Sequence, residues 1–168
     1  IMGVWARLAA GAAALLAAMT AGVAAAAATP ARPNVIVILA DDLGYGDVGV
    51  YGAPRIRTPH IDRMAREGAR LTSFFASANV CTPSRAGLMT GRYAARSGLA
   101  VGVIPAHSTY GLPESEITFP EMLRTAGYRS AMLGKWHLGS VANYWPTNHG
   151  FETFWGVSLG SNVVYVNA

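Results

Sequence analysis

The segment Cys81-Thr82-Pro83-Ser84-Arg85, running on into Ala86-Gly87-Leu88-Met89-Thr90-Gly91-Arg92, constrains this chain more than any other, because it joins the sole cysteine to a set of helix start and stop signals. Thr82 is a capping type, Pro83 suits a first helical turn, Ala86, Leu88 and Met89 are formers, and Gly91 is placed to end the helix. A helix is therefore expected with Cys81 at its entrance. Unpaired amides and the helix dipole favour negative charge there, and Arg85, one turn in, adds a cation. Such a place suits a reactive group. The plain alternative is a lone buried thiol acting as a small hydrophobe.

The address of the chain bears on that cysteine. Arg7 is followed by an uncharged, alanine-rich run over residues 8–28 and then by Thr29-Pro30-Ala31-Arg32-Pro33. This reads as a secretory signal peptide over residues 1–28, with small residues at 26–28 for cleavage. An uncleaved membrane anchor is the rival, since a span needs roughly 20 apolar residues. Export to a periplasm or to the medium is expected, an oxidising setting in which an unpaired cysteine needs a reason. Conversion to another group before export is one reason, and intermolecular pairing is another.

With 168 residues, 52% apolar content and a formal charge of +4, the chain is one ordinary globular domain or part of one. No basic run with interleaved aromatics supports nucleic-acid binding. The mild positive balance suits an anionic small substrate. Among 13 basic residues Lys135 is the single lysine, a position where arginine did not serve.

Residues 34–40 form a continuous, mostly β-branched apolar run, which predicts a strand buried on both faces of a parallel sheet. It breaks at Asp41-Asp42-Leu43-Gly44-Tyr45-Gly46-Asp47. In open α/β sheets ligands sit at the carboxyl ends of strands, where the aspartate pair falls. Residues 58–68 predict a helix with cap, proline entry and glycine exit, His60 being a surface or capping residue. Residues 70–75 predict a second strand, residues 98–113 a loop holding His107, to which no role is assigned, residues 118–127 a capped helix, and residues 128–133 a strand. A turn and a short strand should follow Asn148. The sequence of elements predicts an α/β layered fold.

Asp41 and Asp42 are two hard carboxylates suited to calcium or magnesium, or simply a solvated acidic turn; calcium wants roughly six to eight oxygens, so the pair cannot complete a site. Lys135 and His137 flank Trp136, and on an extended segment both would point to one face. Lysine offers a compact cation and histidine titrates near neutrality, so the pair could hold an oxyanion and move a proton. An ordinary strand-end ion pair is the plain alternative.

The three motifs together, Asp41-Asp42-Leu43-Gly44-Tyr45-Gly46-Asp47, Cys81-x-Pro-x-Arg85 and Gly134-Lys135-Trp136-His137-Leu138-Gly139, followed by Asn148-His149-Gly150-Phe151, occur in the order and approximate spacing of the sulfatases. The chain from Pro33 to about Trp155 resembles the N-terminal portion of a sulfatase catalytic domain of the arylsulfatase A type, which would place residues 29–168 in that domain. The resemblance implies an alkaline phosphatase-like layered fold, with a central, largely parallel sheet, helices on both faces, and an incomplete C-terminal side. It also implies a calcium-dependent hydrolase of sulfate esters in which a formylglycine-generating enzyme oxidises Cys81. On that resemblance the hydrated formylglycine would attack sulfur, and its second hydroxyl would then lose a proton to His137 as sulfate is expelled. Arg85 would hold the formylglycine, Lys135 would bridge it and the sulfate, and one calcium ion would rest on Asp41, Asp42 and the oxygen derived from Cys81.

By the same resemblance, further metal ligands and the groups facing the leaving alcohol lie beyond Ala168, so residues 1–168 alone are expected to be inactive. The expected substrate is a sulfate-ester small molecule or a sulfated carbohydrate, with no nucleic acid and no stable membrane association. A phosphonate or phosphodiester hydrolase of the same superfamily, a non-catalytic exported remnant and a cysteine hydrolase pairing Cys81 with His137 are the competing readings.

Overall fold

Local chemistry places three α-helices and three strands along the described part of the chain. The computed structural model describes residues 32–160 and 165–167; the leader expected over residues 1–28 lies outside them. The chain divides into two units, Ile1–Ala40 and Asp41–Ala168.

In the first unit, residues 32–40 carry no regular secondary structure, and Val35, Ile36, Val37, Ile38 and Leu39 are exposed. The buried strand expected at 34–40 is not formed. A run that is apolar on both faces becomes a strand only where both faces are covered and its amides are paired, and the described residues supply neither.

The second unit begins with two short 3-10 turns, Tyr45–Asp47 and Gly49–Tyr51, followed by helix α1, Pro59–Glu67. Thr58 stands at the cap position of α1 but turns its hydroxyl elsewhere: it accepts from the Gly49 amide at 2.8 Å and donates to Asp62 Oδ1 at 2.9 Å. Asp62 in turn accepts from the Val50 amide, so the start of α1 clamps the preceding turn. Residues 70–75, expected as a strand, have no regular structure, with Leu71, Phe74 and Phe75 exposed. High β propensity without a pairing partner does not make a strand.

Helix α2 spans Cys81–Thr90 and ends where expected, at Gly91, whose amide still reaches the Gly87 carbonyl while its φ of 65° turns the chain out of the helix. Its start differs. Val80, not Thr82, is the cap, and Cys81 is the first helical residue. Pro83 in the first turn lacks only an N–H that has no intrahelical acceptor there, which leaves the Thr82 hydroxyl free for another partner.

Helix α3, Phe119–Thr125, opens with the expected cap, which is a capping box. The Glu121 carboxylate accepts from the Thr118 amide at 2.8 Å, and the Thr118 hydroxyl lies 2.7 Å from the His149 carbonyl. The following strand β1 is Ala131–Lys135, three residues later than expected, because Gly127 (φ 82°) and Tyr128 are used to close the helix through amides donated to Arg124 and Leu123.

Strand β2, Thr153–Val157, pairs parallel to β1, with Ala131 opposite Thr153 and Lys135 opposite Val157. Strand β3, Tyr165–Asn167, pairs antiparallel to β2. The crossover from β1 to β2 is built from two 3-10 turns, Ala142–Tyr144 and Pro146–His149. The core gathers Ala86 and Met89 of α2, Leu99, Ile104 and Leu112 of the loop, Trp136 and Leu138 after β1, and Phe151, Phe154 and Leu159 around β2. Trp136 is its anchor: 1% exposed, edge-on to Phe151 and hydrogen-bonded through Nε1 to the Tyr144 carbonyl at 2.7 Å.

Candidate active site

Burying Trp136 decides where its neighbours go. Lys135 ends β1 with its ammonium only partly exposed, and His137 adopts φ 58°, a left-handed conformation uncommon for a residue with a side chain. The expected simple alternation of an extended segment is thus replaced by a turn, and both polar side chains still reach one cavity of about 450 Å³.

That cavity is lined by Asp41, Asp42, Cys81, Lys135 and His137 together with Val103, Ile104, Pro105, Ala106, Leu159 and Gly160. Lys135 Nζ donates to Asp41 Oδ2 at 2.7 Å and to Cys81 Sγ at 3.1 Å. Arg85, whose side chain is largely buried, donates to Asp41 Oδ1 at 3.1 Å and to the Lys135 carbonyl. Helix α2 therefore delivers both Cys81 and, one turn on, the cation that fixes Asp41 and the end of β1.

The charges respond to this crowding. The hydrogen bond from Lys135 is the main cause holding the Asp41 carboxyl below the usual range, against a smaller upward push from partial burial and with help from Arg85. Burial would lower the Lys135 ammonium, but its bonds to Asp41 and Cys81 outweigh that and raise it. His137 is pushed down chiefly by burial, and Lys135 and Arg85 add to this while the Ile104 carbonyl opposes it. At neutral pH the Lys135 ammonium thus stands against an ionised Asp41, beside a neutral His137 imidazole.

The donor chemistry fits part of a hard-cation shell. Asp41 and Asp42 face the same cavity, and Asp42 stands at φ 60°. Among the described residues no group of three or more His, Cys, Asp or Glu side chains could hold a metal ion, so two carboxylates and the position of Cys81 supply fewer than the six to eight oxygens calcium takes.

Residues 33–167 match the family profile described as Sulfatase. The chain belongs to the sulfatase family. Human steryl-sulfatase is 50% identical over 139 residues, covering 76% of this chain and 24% of that protein. Among solved structures, a Bacteroides thetaiotaomicron protein from a locus for metabolism of multiple glycosaminoglycans superposes with TM-score 0.74 at 35% identity, over 82% of this chain and 31% of that one. Another, in complex with its substrate D-glucosamine-2-N,6-O-disulfate, gives TM-score 0.63 at 35% identity, over 76% and 23%. This sulfatase chain thus spans about a quarter of the length of the curated relatives it matches, and its α/β layering is the alkaline phosphatase-like fold of the sulfatases.

All six residues singled out by motif, Asp41, Asp42, Cys81, Arg85, Lys135 and His137, lie in or against the cavity. His60 and His107 are exposed and take no part. His149 is buried in the Pro146–His149 turn, its ring centroid 5.7 Å from that of Trp136. Sequence reasoning missed the apolar part of the lining. The Val103-Ile104 pair inside a glycine- and proline-rich loop was its one visible signal.

Proposed function

We propose that the protein of which this chain is part hydrolyses sulfate esters, with Cys81 oxidised to formylglycine and one calcium ion at Asp41 and Asp42. The observation that carries this reading is the Lys135 ammonium held between Asp41 (2.7 Å) and Cys81 (3.1 Å) at the edge of a half-apolar cavity. An anionic ester group needs a fixed cation beside the position from which it is attacked, and Lys135 supplies one. Arg85, by binding both Asp41 and the Lys135 carbonyl, keeps that cation and its counter-charge in register. His137, kept neutral by burial, accepts the proton released as sulfate departs. Formylglycine would supply a hydrated aldehyde oxygen as nucleophile, and calcium would screen the charge of the ester oxygens.

The alcohol portion of the substrate would lie on Val103, Ile104, Pro105 and Leu159. A sulfated small molecule or sulfated carbohydrate is the substrate class; the relative crystallised with a glucosamine disulfate supports the carbohydrate side of it. Maturation by a formylglycine-generating enzyme and export under a leader at residues 1–28 complete the reading.

The test is to express the whole protein with and without a formylglycine-generating enzyme, measure the mass of the peptide holding Cys81, and assay an aryl sulfate beside an aryl phosphate diester and an aryl phosphonate. Conversion of the thiol to an aldehyde together with calcium-dependent sulfate release is the expected result. Turnover of the phosphorus esters alone, or activity in protein whose Cys81 is an intact thiol, overturns it.

A further inference from the structure

Thr82 is buried (1% exposed) in the first turn of α2, yet its hydroxyl serves none of that helix's groups. As the second residue of the helix, Thr82 has no helical carbonyl four residues behind it of the kind that Thr90 uses on Ala86 at 2.7 Å. Thr82 instead donates to the His137 carbonyl at 2.9 Å, 55 residues away, and accepts from the Ile104 amide at 3.0 Å, 22 residues away. The third side of the ring is closed by His137, whose Nε2 lies 3.2 Å from the Ile104 carbonyl.

The contact with the Ile104 carbonyl assigns the tautomer. A carbonyl oxygen only accepts, so Nε2 carries the proton and Nδ1 is left with its lone pair. Nδ1 is buried and has no hydrogen-bond partner among the described residues. The ring also braces the backbone of His137 at φ 58°, a conformation that persists in a residue with a side chain only where its surroundings hold it.

We propose that Thr82 is a positioning residue: by tying the His137 carbonyl to the Ile104 amide, its hydroxyl holds the imidazole with Nε2–H committed to the Ile104 carbonyl and Nδ1 as the nitrogen that takes the proton. The proposal rests on the reading of His137 as proton acceptor. In that step the proton leaves the hydroxyl of the reacting group and its bond forms to Nδ1, giving an imidazolium that keeps its Nε2–H bond to Ile104. A neighbour that fixes the tautomer and angle of a functional histidine governs its rate contribution without touching substrate.

The test uses the whole protein labelled with nitrogen-15 in histidine and observed by long-range proton–nitrogen correlation at about pH 8, above the ordinary imidazole range, with His137→Asn assigning the signals. The expected wild-type pattern is protonated Nε2 and unprotonated Nδ1. Thr82→Val, which keeps the shape and removes the hydroxyl, should mix the tautomers and lower kcat about 10- to 100-fold, with KM changed far less. Thr82→Ser should restore both. A wild-type His137 protonated at Nδ1 overturns the proposal, as does a folded Thr82→Val protein with the wild-type tautomer and kcat. If the wild-type protein turns over no sulfate ester, the function fails while the tautomer pattern still decides what Thr82 does.

Discussion

Lys135 Nζ lies 2.7 Å from Asp41 Oδ2 across 94 residues of sequence. The same nitrogen is 3.1 Å from Cys81 Sγ, so one ammonium ties the start of the described second unit, the entrance of α2 and the end of β1. Replacing Lys135 by methionine should keep the fold and lower kcat/KM for an aryl sulfate by about 10²-fold or more. Lys135→Arg should not rescue it, because a planar guanidinium cannot take the place of a compact ammonium between two close partners. Steady-state kinetics of the three proteins check this; wild-type kcat/KM in Lys135→Met would remove Lys135 from the reaction.

Removal of divalent cations should abolish turnover and lower the thermal midpoint, with calcium restoring both. A ligand that binds only the folded state stabilises by about 2.7 kcal/mol at 100 times its Kd. Asp42→Asn, which removes a carboxylate charge from the cavity edge, should shrink the calcium-dependent shift. Calorimetry with and without calcium reads the difference, and an equal shift in both proteins would remove Asp42 from the shell.

Stability should fall on mild acidification. Burial lowers both His137 and His149, so each binds fewer protons in the folded than in the unfolded state. Their contribution is full above the unfolded value of about 6.5 and is lost as pH falls below it toward the folded values, with a slope of up to about 1.4 kcal/mol per pH unit for each histidine. Burial is the first cause for His149, opposed by Glu121, Glu114 and the Leu112 backbone. Neither of its ring nitrogens makes a well-formed hydrogen bond. Urea midpoints at about pH 8 and pH 5.5, on either side of the imidazole range, should differ less in His149→Leu than in the wild type.

The start of α3 should be sensitive to one hydroxyl. Thr118 is fully buried, and its Oγ1 lies 2.8 Å from Glu121 Oε2 and 2.7 Å from the His149 carbonyl, joining the helix to the crossover loop. Thr118→Ala should cost about 1–2 kcal/mol, combining a lost cap with a buried carbonyl left unpaired. Thr118→Ser should recover most of it in the same denaturant titration.

Several elements were legible in the sequence because their causes are local. Thr118 before Phe119-Pro120 announces α3, Gly91 announces the end of α2, and Pro59 the entry of α1. The two expected strands at residues 34–40 and 70–75 failed for the opposite reason: a strand needs a partner, and neither β propensity nor an apolar run names one. The strand after α3 arrived three residues late because Gly127 and Tyr128 finish the helix before any ladder begins.

The sequence by itself singled out the candidate side chains, since Asp41, Asp42, Cys81, Arg85, Lys135 and His137 belong to short motifs whose residue types and spacing are readable in one dimension. Only the tertiary structure decided how they act on one another. Burial of Trp136 turns Lys135 and His137 into the cavity, and the Thr82 hydroxyl, read in sequence as a helix cap, is instead drawn to His137 and Ile104. Hydrogen bonds spanning 22 to 94 residues leave no periodicity in a sequence, because their geometry exists only after packing has removed water and set the backbones side by side.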